Sequence, residues 1–235
     1  KGYKAIGVAP ISNVSLNNAI AEATEKGIKI VSIDEVVDLE ALTELGGAVY
    51  AYVATDNVKV GQMGAEYLIE QIGGEGEVAI VEGKVGSING DNRRDGATET
   101  FEAAGLTVVD SQPADFDRTK AYDLVTNYIT AHPDLKAIYC VNDTMAMGAQ
   151  EAVEASGKDI KVCGTDGNAD AIQSVADGKL CATVAQDPAL VGATGLELMV
   201  EAVETDAPLE PTVDIPVTRI DPILITIDNA AENLA

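Results

Sequence analysis

Hydrophobic and polar positions alternate along this chain in blocks. Short apolar runs of strand length recur from one end to the other: KAIGVAP, IKIVSID, VYAYVAT, VAIVEG, LTVVDSQ, AIYCVND, KVCGTDG and CATVAQ. Between them lie longer stretches with apolar residues three and four apart, namely LNNAIAEATEKG, GQMGAEYLIEQIG, RDGATETFEAAG, TKAYDLVTNYITAHP, TMAMGAQEAVEASG and ADAIQSVADG. That spacing predicts amphipathic helices, several of them stopped by Gly or Pro. Apolar strands separated by helices predict parallel sheets covered on both faces. All these strands in one sheet would make a wide object, whereas two sheets of about four to six strands each are ordinary.

Open α/β sheets bind ligands beyond the carboxyl ends of their strands, and that rule selects the residues of interest. Polar groups close strand after strand: Asp34 after IVSI, Thr55 and Asp56 after YVA, Glu82 after VAIV, Asn142 and Asp143 after YCV, Asp166 after CGT, and Gln186 after TVA. Any one of these reads equally well as a helix N-cap or turn former. Together at a sheet edge they predict a lined cleft. GDNRRDG and ADFDR add arginines. Carboxylates accept hydrogen bonds, guanidinium donates in a rigid fork, and amides do both. A sugar hydroxyl also does both, so the set suits a neutral polyhydroxylated ligand. Four or five charge-assisted bonds at about 1.5–3 kcal/mol each offset much of the cost of association. Phe116, flanked by charges in PADFDR, reads either as a core residue or as a ring stacked on the apolar face of a sugar.

Composition narrows the classes. The formal net charge is −24, which repels phosphate backbones and anionic membrane surfaces. Aromatic residues are 4% of the chain and tryptophan is absent. Cys140, Cys163 and Cys181 sit in or beside apolar runs without C-x-x-C spacing, and His132 is the sole histidine. Zinc or redox chemistry is therefore not indicated and buried free thiols are, although a disulfide between neighbouring strands stays open. No metal or cofactor is expected. Asp166-x-Asn168-x-Asp170 resembles a calcium loop but lacks its glycine and closing glutamate. No nucleophile elbow or phosphate loop occurs, and Gly74-Glu75-Gly76 precedes a strand instead of following one. An enzyme is not expected; a carboxylate pair such as Asp34 and Asp166 would cut glycosides only at a separation that sequence does not give.

At SQPADFDRTKAYD, AHPDLKAIYCVNDTMAMGA, GTDGNADA and GKLCATVAQDPALVGATG the chain resembles the ribose- and allose-binding branch of the type I periplasmic binding proteins. APISNVSLNNAIAEATEKGI, DNVKVGQMGAEYLI, VEGKVG and NRRDGATETF are most similar to the allose type. The resemblance implies two Rossmann-like α/β lobes joined by a three-segment hinge, with a monosaccharide held between them as they close. It makes Asp34 the sugar-binding carboxylate of the first lobe. Glu35 follows it where ribose binders carry arginine, which speaks against ribose and for an allose-like pyranose. Arg93 in R-x-x-G matches the sugar-binding arginine, with Arg94 as the lesser candidate. Phe116 matches the stacking aromatic, Asn142 and Asp166 two polar ligands at strand ends, and Gln186 a ligand beside the hinge.

Crossings are expected near residues 55, 186 and 216. They would give a first lobe of residues 1–55 and 187–215, and a second of 56–186 and 216–235. The family pattern places two more βα units before KAIGVAP, about 60 residues at roughly 30 per unit, so the first lobe is expected to be incomplete and KAIGVAP an exposed apolar edge. The implied role is the solute-binding component of an ABC-type sugar importer, a monomer in the periplasm or outside the cell, and a lipoprotein in a Gram-positive source. Its partners would be a permease and a chemotaxis receptor, with no nucleic acid. The alternative is the ligand-sensing core of a lactose-repressor-type regulator, which would need a DNA-binding headpiece before Lys1.

Overall fold

The computed structural model describes residues 2–234; Lys1 and Ala235, the outer bounds of the two expected lobes, lie outside them. In chain order the elements run β1 (Ala5–Val8), α1 (Asn17–Glu25), β2 (Lys29–Ile33), α2 (Leu39–Glu44) and β3 (Ala51–Thr55). There follow α3 (Asn57–Gln71), β4 (Glu77–Glu82), α4 (Ile88–Ala103), β5 (Thr107–Pro113), α5 (Arg118–Ala131) and β6 (Leu135–Cys140). The chain continues through α6 (Asp143–Ser156), β7 (Lys161–Asp166), α7 (Ala169–Ala176), β8 (Ala182–Ala185) and α8 (Pro188–Glu204). It ends with β9 (Val217–Ile220), β10 (Ile223–Ile225) and a 3-10 turn at Ala230–Asn233.

These elements form two compact units, Lys1–Asp56 with Asp187–Asp221, and Asn57–Gln186 with Pro222–Ala235. The final passage thus lies after Asp221 instead of near residue 216. The reason is β9, which pairs in parallel with β3 from Tyr52↔Val217 to Thr55↔Ile220 and draws those residues into the first unit.

The first unit holds a four-stranded parallel sheet in the order β1-β2-β3-β9. Its centre is apolar: Val31 and Val53 are fully buried, and β3 is buried along its whole length. One face packs on α8 through Val191 and Met199, and the other carries a cluster of Ile20, Ile30, Leu42, Val49 and Tyr52. β1 is the outer strand, with Ile6 and Gly7 exposed.

The second unit holds a six-stranded sheet in the order β10-β8-β7-β6-β4-β5. All neighbours are parallel except β10, which runs antiparallel to β8. β10 follows β9 after Asp221-Pro222, and both are too short and proline-flanked to stand out in the sequence. The sheet core is continuous, and Ile80, Ile138, Tyr139, Val162 and Val184 are wholly buried. Its helices pack on one another by contact at glycine. A Cβ on Gly61 of α3 would stand 2.0 Å from the Arg93 carbonyl oxygen of α4, and one on Gly148 of α6 would stand 2.1 Å from that of Arg118 on α5. Only glycine permits such backbone approach.

Cys140 and Cys163 are buried free thiols and Cys181 is a half-buried one. Desolvation pushes all three above their usual range, Cys181 to about 11. Among the described residues no helix is long and apolar enough to cross a membrane, and no group of three acidic, histidine or cysteine side chains could hold a metal ion.

Candidate ligand-binding site

In the second sheet the chain goes from β4 outward to β5, then returns to β6 on the other side of β4. Such a reversal opens a crevice at the carboxyl ends of the two strands, the preferred ligand position of doubly wound sheets. The polar residues at these ends are bonded to one another. Arg93, on the first turns of α4, is buried at 5% exposure. Its Nε donates to Asn57 Oδ1 at 2.7 Å, and one terminal nitrogen donates to the Val141 carbonyl at 2.9 Å and to Asp166 Oδ1 at 3.3 Å. Asn57 in turn donates to Asn89 Oδ1 at 2.9 Å. Gln186, just after β8, donates from Nε2 to the same Asp166 oxygen at 2.7 Å. Arginine, carboxylate and amide are thus fixed before any ligand arrives, which lowers the ordering cost of binding.

Backbone strain marks the same positions. Asp166 has φ 121° and is followed by Gly167 at φ 77°; Asp115 and Phe116 stand at 55° and 60°. Non-glycine residues with positive φ are uncommon, cost energy and cluster at functional sites. Phe116 is half-buried, and its ring lies over the backbone that follows β4: a Cβ on Gly83 would meet it at 2.3 Å. Asn142 caps α6, its side-chain oxygen accepting from the Met145 amide at 2.9 Å, so its amide nitrogen is the group left to donate. Arg94 turns instead to acids, with Asp95 at 2.7 Å, Asp91 at 3.0 Å and Glu82 at 3.4 Å.

Asp34 and Glu35 belong to the first unit, at the end of β2. Asp34 has φ 66°, and the Glu35 amide donates back to the Ile33 carbonyl at 2.8 Å. This is a three-residue turn of the positive-φ form, the rarer and more strained kind. It is pinned from below: the Tyr52 hydroxyl donates to the Asp34 carbonyl at 2.8 Å and Ser32 Oγ to the Glu35 carbonyl at 2.7 Å. Arg219 of β9 lies over the Tyr52 ring at 5.2 Å. Burial pushes the Tyr52 phenol up to about 12, so it remains a donor at neutral pH.

Residues 1–207 match the periplasmic binding protein domain. The chain belongs to that family. It is 50% identical to the D-allose-binding periplasmic protein of Escherichia coli over 231 residues, which is 96% of this chain and 74% of that protein. It is 39% identical to a ribose import binding protein of Bacillus subtilis over 84% of this chain, and spans 62% of that relative's length. Among solved structures, an ABC transporter solute-binding protein of Actinobacillus succinogenes with bound D-allose matches at TM-score 0.87 and 32% identity, covering 97% of this chain and 80% of that one. The Caulobacter myo-inositol binding protein matches at 0.82 and 29%, covering 98% and 76%.

Within this family member the second unit brings Arg93, Asp166 and Gln186 into one bonded array, with Asn142 and Phe116 at neighbouring strand ends. Of the residues that support them, sequence reasoning singles out Asp143 among the strand-end polar groups. Asn89, Tyr52, Ser32 and Thr183 read as ordinary helix-start or strand residues, and only their burial distinguishes them.

Proposed function

We propose that this chain is the solute-binding component of an ABC-type sugar importer and binds a monosaccharide, with a D-allose-like pyranose favoured. One observation carries the reading: a buried arginine, a strained carboxylate and an amide are held together at the carboxyl ends of β7 and β8, beside the topological switch point between β4 and β6. Those donors and acceptors match the mixed hydrogen bonding of sugar hydroxyls, and Phe116 offers a ring to the apolar face of a pyranose. Asp34 and Glu35 are proposed as contacts supplied by the first unit, the two units acting as the lobes of such a protein. Identity to a D-allose-binding protein supports the sugar, and the import function named for its ribose-binding relatives supports delivery to a permease. No catalytic step is part of this role.

Family membership supports a periplasmic or extracellular location. A lipid anchor in a Gram-positive source, a monomeric state and recognition of the loaded form by a chemotaxis receptor are further proposals that rest on the family resemblance. Calorimetric titration of the full-length protein with D-allose, ribose, psicose and galactose tests the central claim. Binding of one of them at micromolar affinity or better is expected; no heat with any of the four sinks it.

A further inference from the structure

The most deeply buried carboxylate associated with the site has no assigned role. Asp143 opens α6 immediately after Asn142 and is 0% exposed, so it does not reach a ligand. An acid in a helix's first turn is ordinarily explained by the helix dipole. Here its partners lie elsewhere. One carboxylate oxygen accepts from the Asn168 backbone amide at 2.7 Å, and the other accepts from the Thr183 hydroxyl of β8 at 2.7 Å. The Gly167 amide donates to Thr183 Oγ1 at 3.3 Å. The space for it is cleared by Gly164 of β7, where a Cβ would stand 2.2 Å from Asp143 Oδ1. A buried charge is costly unless hydrogen-bonded, and here one bond comes from the turn that directly follows Asp166 and the other from Thr183, which itself accepts from that turn.

We propose that Asp143 is a positioning residue for ligand recognition: its carboxylate ties the Asp166–Gly167–Asn168 turn to α6 and β8, holding Asp166 in the strained conformation that meets Gln186 and Arg93. Two consecutive positive-φ residues persist only where their surroundings over-determine them, and Asp143 with Thr183 supplies that restraint. The titratable groups facing Asp143 are Asp166 and Cys163 from β7 and Cys140 from β6; desolvation is the chief cause that raises its proton affinity, and the charge of Asp166 adds to it. Protonation near neutral pH then exchanges a charge-assisted bond to the turn for a weaker neutral one.

The proposal rests on the sugar-binding reading, and its test separates the two. D-allose affinity and backbone amide exchange at Gly167 and Asn168 are measured for the wild type, Asp143→Ala, Asp143→Asn, Thr183→Val and Thr183→Ser. Asp143→Ala and Thr183→Val are each expected to weaken binding at least tenfold and to speed exchange at both amides. Thr183→Ser, which restores the hydroxyl, recovers the binding lost in Thr183→Val, and Asp143→Asn, which keeps one acceptor, loses less than Asp143→Ala. The Asn168 amide resonance shifts with pH around neutrality in the wild type and not in Asp143→Asn. Unchanged affinity and exchange in folded Asp143→Ala overturn the proposal; should that variant not fold, unchanged values in Thr183→Val do so. A wild type that binds no monosaccharide while the variants still loosen the turn overturns the sugar reading alone.

Discussion

The two units are built on the same parallel α/β plan and bury it to different depths. In the second, β4 and β7 are each buried over their four central residues, and the core runs unbroken from Val60 to Ile225. In the first, β1 exposes its two middle residues, β9 exposes Val217 and Arg219, and the buried side chains fall into two small clusters on opposite faces. Leu196, Val200 and Val203 of α8 remain exposed at helical spacing. The difference teaches where rigidity resides. Arg93, Asp166 and Gln186 hang from the well-packed sheet, whereas Asp34 depends on a local turn pinned by Tyr52 and Ser32.

Truncating the second core is the strongest way to break this contrast. Phe101→Ala empties a fully buried ring site on α4 and is expected to cost about 3–5 kcal/mol, read by denaturant unfolding. Next comes the buried acid. Asp143 titrates at about 7 in the folded chain, against 3.8 ordinarily, chiefly through desolvation. A raised folded value means that the neutral carboxyl's stabilising contribution is complete below about pH 4 and lost as pH rises through 7. The stability of the wild type relative to Asp143→Asn should therefore fall across that window by up to a few kcal/mol, which paired melts at pH 4, 5.5 and 7.5 measure.

Binding variants sharpen the comparison. Arg93→Lys keeps the charge but abandons the fork that joins Asn57, Val141 and Asp166, and should lower sugar affinity by about 1.5–3 kcal/mol, roughly ten- to a hundredfold. Gly61→Ala forces α3 away from the Arg93 carbonyl and should cost about 1–3 kcal/mol of stability. At the other extreme, Ile6→Thr on β1, 38% exposed in the wild type, should shift stability by less than about 1 kcal/mol. A large loss there would show the first unit to be packed as tightly as the second.

The fold was legible wherever burial imposes periodicity. Strands such as IKIVSID and VAIVEG announce themselves because both faces are covered. α4 did not announce its start: the sequence places it at Arg94, yet the helix begins at Ile88, behind the Ser87 cap. Over its first turns the inner face carries Asn89, Gly90, Arg93 and Gly96, and apolar burial begins only at Ala97 and Phe101. A helix whose first turns bury an arginine and glycines has no apolar stripe there to mark its start. β9 and β10 were invisible for another reason, being short strands defined by partners far off in the chain. The same limit explains the site. Strand-end polarity and family resemblance point to Asp34, Arg93, Asp166 and Gln186, and strand-end polarity to Asp143, but the restraints supplied by Tyr52, Asn57 and Thr183 act between residues far apart in the chain.

The distribution of sulfur has a practical corollary. All three cysteines fall within residues 57–186, and a thiol reacts through its thiolate, which burial suppresses in each. A slow alkylating reagent would therefore label the native chain scarcely at all and register each opening of the second sheet. The other half of the molecule would pass unrecorded, so mass tagging over time becomes a clock for one unit alone.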